Sequence, residues 1–381
     1  ILCTSIIENF AELPDPRILL KTRHKLVDIV TIALCAVVAG ADDWVEISAY
    51  AKAKEAWFRG FLELPGGIPS HDTFGRVFAL LDPNAFARCY TNWVYGLIHI
   101  PDELVAIDGK TVRRSHDRAN GKSAIHMVNA WAVHHGLVLG QVRTDAKSNE
   151  ITAIPELLKS MDLNACVVTI DAMGCQKEIA KDIVGQGADY LFSLKGNQGN
   201  LHKDVELFFQ DAKKNEFKDF AHDSHTTVDG EHGRIETRRY TTVADVHWFE
   251  EKDKWAKLTS FGMVESERDI DGLISVETRY YISSLPSDAK RFAAAARGHW
   301  AVENSLHWCL DIAFREDDSR VRSGHAPANL AMLRRLAISL IKQDLGRKIG
   351  VKASRKRAGW DLEYIKELLG LGRCHDFMRL P

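Results

Sequence analysis

The sequence has almost no net charge, no paired cysteines and no long apolar run. Lys and Arg total 50 against 52 Asp and Glu, a formal charge of −2. No global field therefore advertises a polyanionic partner, and any nucleic-acid contact must come from local patches. The seven cysteines stand at 3, 35, 89, 166, 175, 309 and 374, an odd number with no Cys-x-x-Cys pair. That argues against a disulfide framework or a zinc ribbon and for a reducing cytosol. The longest apolar stretch, around Ile29 to Ala39, is interrupted by Thr31 and is too short to span a bilayer. It lies inside the chain after charged residues, so it is no signal peptide. Internal repeats and low-complexity tracts are also lacking. The first residue is Ile rather than Met, and the expectation is that a start is missing.

What is present is ordinary in amount: 381 residues, 45% hydrophobic and 27% charged. This suits a soluble protein with two or three cores. Residues 1–100 read as helical. Leu26 to Ala39 has the density of a buried helix, and Val45 to Leu62 is amphipathic. Leu64-Pro65-Gly66-Gly67-Ile68-Pro69 marks a turn, Ser70 caps a helix through Leu81, and Ala85 to Ile98 forms another. Helix, tight turn, capped helix is a helix-turn-helix outline, which makes 1–100 a candidate DNA-recognition domain.

From Leu104 strands alternate with helices. A hairpin-like pair, Ile125 to Val133 and Leu137 to Arg143, follows the first strand. Helices are expected at Glu150 to Met161, Gln176 to Val184 and Leu201 to Ala212, and a strand at Asp189 to Leu194. This is a mixed α/β layout over 101–220. Residues 221–284 read as a β-rich insertion, with alternating segments at Arg234 to Thr242, Leu258 to Glu265 and Ser275 to Ser283. Residues 285–345 return to helix. Residues 346–381 read as a basic, less regular tail with a short helix near Leu362 to Leu369.

Two stretches share one layout. Val105-Ala106-Ile107-Asp108-Gly109-Lys110 and Val167-Val168-Thr169-Ile170-Asp171-Ala172-Met173-Gly174 are apolar runs that deliver a carboxylate and then break at glycine. Such runs read as buried strands. If the strands are neighbours, Asp108 and Asp171 sit side by side, and a divalent cation relieves their repulsion. Alone, an Asp at a strand end is more often a turn or cap residue; the repeated strand-plus-Asp layout is what favours a functional pair. A third feature is Arg297-Gly298-His299-Trp300-Ala301-Val302-Glu303-Asn304-Ser305-Leu306-His307-Trp308-Cys309-Leu310-Asp311. In an α-helix His299, Glu303, His307 and Asp311 would share one face. Val302, Leu306, Cys309, Leu310 and Ala313 would form the apolar stripe. A solvated face is the bland alternative. With Glu303, the two aspartates could make a carboxylate triad for magnesium, a hard cation that prefers oxygen.

These motifs resemble the insertion-sequence transposases of the DDE class, and within them the H-repeat-associated transposases found with Rhs elements. The likeness is carried by Ala106 to Lys110, Thr169 to Gly174, Leu194-Lys195-Gly196-Asn197-Gln198 and His299 to Asn304. Asp15-Pro16-Arg17 and Ser70-His71-Asp72-Thr73-Phe74 add to it. It covers nearly the whole chain. The resemblance implies a ribonuclease-H-like mixed sheet with flanking helices, interrupted by a β-rich insertion before the catalytic helix, and an N-terminal helical domain. It implies Asp108, Asp171 and Glu303 as catalytic residues and ligands of two Mg2+ or Mn2+ ions. It implies double-stranded DNA as partner, a homodimer on that DNA and a bacterial cytoplasmic setting without a membrane. One departure stands out: related transposases often carry Tyr, Arg and Lys at set offsets from the Glu. Here Arg297 lies ahead of Glu303, and Leu310 stands where the Lys would be.

Candidate DNA contacts are Lys110, Arg113, Arg114, Lys195, Asn197, Arg297, His299 and Arg320. Arg322, Arg334 and Arg335 follow the catalytic helix. Lys342, Arg347, Lys348, Lys352, Arg355, Lys356 and Arg357 form the densest basic run. Trp248 and Trp255 are candidates to stack on an extruded base, or simply to pack. The leading expectation is a DNA transposase that hydrolyses a phosphodiester and transfers a strand with two metal ions. The rivals are a metal-dependent nuclease, an inactive DNA-binding relic, and a zinc hydrolase using His299, Glu303 and His307. The spacing of those three is not the usual His-Glu-x-x-His.

Overall fold

Helices and strands in the computed structural model follow the periodicity of the sequence closely. The structure describes residues 6–97, 102–117, 121–144, 150–231, 234–344 and 349–370. The first section holds α1 (Ile6–Ala11), α2 (Leu26–Val38), α3 (Trp44–Ala53), α4 (Glu55–Phe58), α5 (His71–Leu80) and α6 (Pro83–Leu97). Strand β1 (Leu104–Thr111) and the hairpin β2 (His126–Ala132) and β3 (Leu137–Thr144) follow. Then come α7 (Glu150–Lys159), β4 (Val167–Ile170), α8 (Lys177–Gly185), β5 (Asp189–Leu194) and α9 (Asn200–Lys214). Four strands succeed them: β6 (His222–Glu231), β7 (Arg234–Val243), β8 (Ser260–Ile270) and β9 (Leu273–Ser283). The chain ends in α10 (Ala289–His299), a π-helical turn (Val302–His307), α11 (Trp308–Ile312), α12 (Ala326–Lys342), α13 (Val351–Trp360) and α14 (Leu362–Leu369). A hairpin after the first strand, then two parallel strands reached through helices, is the ribonuclease-H-like sequence of elements. No described helix is long and apolar enough to cross a membrane.

The chain divides into two compact units. Residues 1–99, 109–149 and 303–381 make the first. Its axis is α12, buried along nearly its whole length and packed by α2, α5, α6, β3 and α13. Most buried polar groups on α12 are hydrogen-bonded, Asn329 Oδ1 being an exception. Asn329 donates to the carbonyls of Phe78 (2.8 Å) and Leu81 (2.9 Å), so it closes the end of α5. Arg335 donates to Asn129 Oδ1 at 2.5 Å and pairs with Glu316 at 2.7 Å. Ser339 accepts the Val138 amide at 3.2 Å. Ser70 caps α5 as expected, its hydroxyl accepting the Thr73 amide. The expected helix of residues 45–62 is instead split at Lys54.

The basic run corrects the sequence reading most. Residues 351–360 are helix α13, and Arg355 is buried rather than offered to solvent or DNA. Its guanidinium donates to the carbonyls of Val37 (2.9 Å) and Ala41 (3.1 Å) and to Asp42 Oδ1 (2.9 Å). It thus satisfies orphan carbonyls at the C-terminus of α2, where a cation is also favoured by the helix dipole. Arg347, Lys348, Cys3 and Cys374 lie outside the described residues. Cys35, Cys89, Cys166, Cys175 and Cys309 are buried free thiols.

Residues 100–108 and 150–302 make the second unit. Its sheet runs β1-β4-β5-β9-β8-β7-β6. β1, β4 and β5 are parallel; β9 pairs antiparallel with β5 from Leu191↔Ser283 to Leu194↔Tyr280. The strands of 221–284 therefore extend this sheet. β6 escaped the sequence reading because an edge strand of polar residues, His222 to Glu231, shows no apolar alternation. α10 crosses the sheet, and Gly262 on β8 makes room for it. A Cβ at Gly262 would lie 2.6 Å from the Phe292 ring.

Candidate active site

The β1–β4 ladder pairs Leu104↔Val167 through Ile107↔Ile170. Asp108 and Asp171 are the next residues on the two chains, so they stand level on neighbouring parallel strands, roughly 5 Å apart in backbone spacing. Both are half-buried. β4 stops at Ile170, and Asp171 opens a turn in which its Oδ1 accepts the amides of Met173 (3.0 Å) and Gly174 (3.4 Å). Position 174 must be glycine: a Cβ there would meet Ile170 Cγ2 at 2.2 Å and Ile154 Cδ1 at 2.9 Å. The turn and cap reading of Asp171 is thus correct for one oxygen. It fixes the direction of the carboxylate.

The loop after β5 is tied to the same turn. Asn197 Nδ2 and Gln198 Nε2 donate to the Ala172 carbonyl at 2.8 and 3.1 Å. Asn197 is therefore a brace of this loop, whereas Lys195 beside it is exposed. His299 Nδ1 is hydrogen-bonded to Thr169 Oγ1 at 3.0 Å. Burial lowers its pKa to about 4, although the Asp171 carboxylate pulls the other way. With Nδ1 taken by Thr169 and the ring favoured in its neutral form, a DNA contact by His299 would run through Nε2 as a hydrogen bond rather than through charge.

Glu303 belongs to the first unit and lies in the π-helical turn. Its i→i+5 hydrogen bonding widens the turn. The four-residue spacing of His299, Glu303, His307 and Asp311 therefore does not keep one face. Glu303 and Asn304 are exposed, whereas His307 is pushed down to about 3 by burial, with Arg335 and Lys110 adding to the shift. The apolar stripe holds: Val302, Leu306, Cys309 and Leu310 are buried. Among the described residues, no three His, Cys, Asp or Glu side chains are gathered as metal ligands. This holds for His299, Glu303 and His307 of the zinc reading and equally for Asp108, Asp171 and Glu303. For a hard cation the residues present fit in part: Asp108 and Asp171 are oxygen donors one place beyond the last paired residues of β1 and β4.

Of the remaining basic candidates, Lys110 is withdrawn from solvent. Its ammonium lies 2.7 Å from Asp311 and 3.4 Å from Asp317. Arg113 and Arg114 are more exposed but pair with Asp317 and Asp318. Arg297 pairs with Asp229 at 3.2 Å. Arg320 and Arg322 are exposed, while Arg334 and Arg335 are buried inside the first unit and cannot touch DNA there. Trp255 is buried, and Trp248 stacks on Phe208 at 4.8 Å, so both pack. The sequence reading missed Asp311 and Asp317 as partners of Lys110. The signal available was a lysine two places beyond a buried strand aspartate, which needs carboxylates of its own.

A family model described as "Transposase DDE domain" matches residues 99–340, and one described as "DDE_Tnp_1-associated" matches residues 7–94. "Putative transposase YncI" of Escherichia coli O157:H7 is 42% identical, with 96% of this chain and 94% of that protein covered. "H repeat-associated putative transposase YhhI" of Escherichia coli K12 is 39% identical over 96% and 97% of the two chains. "Uncharacterized protein in dhlA 3'region" of Xanthobacter autotrophicus is 45% identical over 73% of this chain and 94% of its own.

Proposed function

The chain belongs to the DDE transposase family, and from that premise we propose that it cuts DNA at insertion-sequence ends and transfers the freed strand. The supporting observation is the level pair Asp108 and Asp171 on adjacent parallel strands, inside the matched DDE domain. Glu303 is assigned as the third carboxylate from its place in the His299 to Asn304 motif. Together these side chains would hold two Mg2+ or Mn2+ ions, which when bound activate the attacking oxygen and stabilise the leaving one.

The chain's own contribution is positioning. The Met173 and Gly174 amides fix one Asp171 oxygen, Oδ1. Asn197 and Gln198 lock the Ala172 peptide beside it. Neutral His299 anchors the end of α10 on β4 without adding a competing charge. The reaction is hydrolysis of a phosphodiester at the element's end, which frees a 3′-hydroxyl. That hydroxyl then attacks a target phosphodiester, joining the element's 3′ end to the target 5′ phosphate and releasing the target's 3′-hydroxyl. The N-terminal helical region reads the terminal repeats, and a dimer in the bacterial cytoplasm brings two ends together.

The test is strand cleavage of a DNA fragment carrying the gene's own flanking sequence, with magnesium, manganese or chelator. Nicking at a fixed position, lost with chelator, is expected. Binding without cleavage under every condition would mark an inactive relic, and products nicked at random positions a nuclease.

A further inference from the structure

A groove of about 1110 Å3 runs within the first unit, between α5 and the segment Arg315–Ser323 that follows α11. One wall is the exposed stripe of α5: His71, Asp72, Arg76 and Leu80, which follow the helical repeat. The other wall carries Arg320 and Arg322. The two are locked together. Gly324 has φ +52°, and a Cβ there would sit 2.5 Å from the Ala79 carbonyl oxygen. The His325 amide donates to that same oxygen at 3.0 Å.

The groove contains carboxylates, but most are engaged inside the protein. Asp42 pairs with Arg355 at 2.9 Å, and Asp43 caps α3 through the Val45 and Glu46 amides. Glu46 accepts the Asp42 amide at 2.6 Å, and Asp318 is shared by Arg114 and Arg315. Among the described residues, Arg76, Arg320 and Arg322 make no ion pair. Arg76 and Arg322 use only Nε, on the Asp72 and Arg114 carbonyls. Their terminal nitrogens stay available. Asp72 meets only His71, at 3.5 Å. Three guanidinium groups with free terminal nitrogens thus share the groove with Asp43, Glu46 and Asp72, carboxylates that among the described residues pair with no lysine or arginine. Guanidinium forks suit phosphate oxygens, and a line of them on two facing walls suits a repeating polyanion.

We propose that this groove seats a phosphate strand of duplex DNA, gripped by Arg76 from α5 and by Arg320 and Arg322 from the segment beyond the Glu303 helix. The site rests on the DNA-transposing reading and deepens it. It makes one surface of the candidate recognition helix and of the catalytic stretch of chain.

The test is fluorescence anisotropy of a labelled duplex with the gene's own flanking sequence, in chelator, over a salt series of about 50 to 200 mM. Arg76→Gln, Arg320→Gln and Arg322→Gln should each lower the slope of log affinity against log salt by about one. The triple variant should lower it by nearly three. Lys181→Gln, an exposed lysine of the second unit, should leave it unchanged. The three arginines are exposed, so each variant should melt where the wild type does. If the triple variant is folded and keeps the wild-type slope, the groove is not the DNA seat. If the wild type itself binds no duplex, the DNA-transposing reading fails and the groove assignment with it.

Discussion

Glu303 and Glu316 lie in one stretch of chain, and their surroundings give them opposite tasks. Glu303 is exposed in the π-helical turn. Glu316 is fully buried against Arg335. Burial pushes its carboxyl up, but the Arg335 and Arg334 charges and the Arg335 hydrogen bond outweigh that and hold it below the usual range. Removing one member of such a pair leaves a buried charge alone. Glu316→Gln should therefore cost about 3–5 kcal/mol in urea unfolding, while Glu303→Gln should leave the midpoint unmoved. His307 gives a pH signature at the same scale. It is half-buried near Arg335, Lys110, Glu316 and His126, and desolvation brings its pKa down to about 3. Its neutral form is favoured by folding, so the contribution is full above the unfolded value of about 6.5 and is lost as pH falls toward 3. Wild type should lose stability over that window faster than His307→Gln, by up to about 1.4 kcal/mol per pH unit. Parallel thermal melts would show it. Equal slopes would mean that His307 is not held neutral.

At the scale of elements, the turn after β4 is the sensitive joint. Gly174→Ala drives a methyl into Ile170 and Ile154, so the turn that aims Asp171 must shift. A loss of about 1–3 kcal/mol in stability with at least a tenfold drop in cleavage is expected. Unchanged cleavage would show that the turn does not set the carboxylate. Elements were also where the sequence was most legible. β5 and α14 have the expected bounds, and the condition set on the paired strand-plus-Asp layout, that β1 and β4 be neighbours, is met. What stayed hidden depends on partners distant in sequence. Arg355 looks like a tail charge until α2 supplies carbonyls for it. Arg335 looks like a DNA contact until Glu316 and Asn129 surround it. The π-helical turn has no periodicity signal, so the spacing of His299, Glu303 and His307 suggested a shared face that the wider turn does not provide.

For the whole molecule, membership of a transposase family goes with a net charge of only −2. Near-neutrality is consistent with the structure because several basic residues are spent inside the protein, on α2, on Glu316 and on the aspartates around Lys110. If DNA binding rests on the three groove arginines, it should weaken with salt at a slope of about three, shallower than for a protein with many phosphate contacts. The most direct measurement is fixed-position cleavage of the flanking-sequence DNA in magnesium by wild type, Asp108→Asn, Asp171→Asn, Glu303→Gln and Glu316→Gln. Asp108→Asn, Asp171→Asn and Glu303→Gln should abolish the nick while remaining folded. Glu316→Gln should cut in proportion to the fraction still folded. Cleavage that survives Asp171→Asn, or that is lost in folded Glu316→Gln but not in Glu303→Gln, would contradict the assignment of Asp108, Asp171 and Glu303 as the catalytic carboxylates.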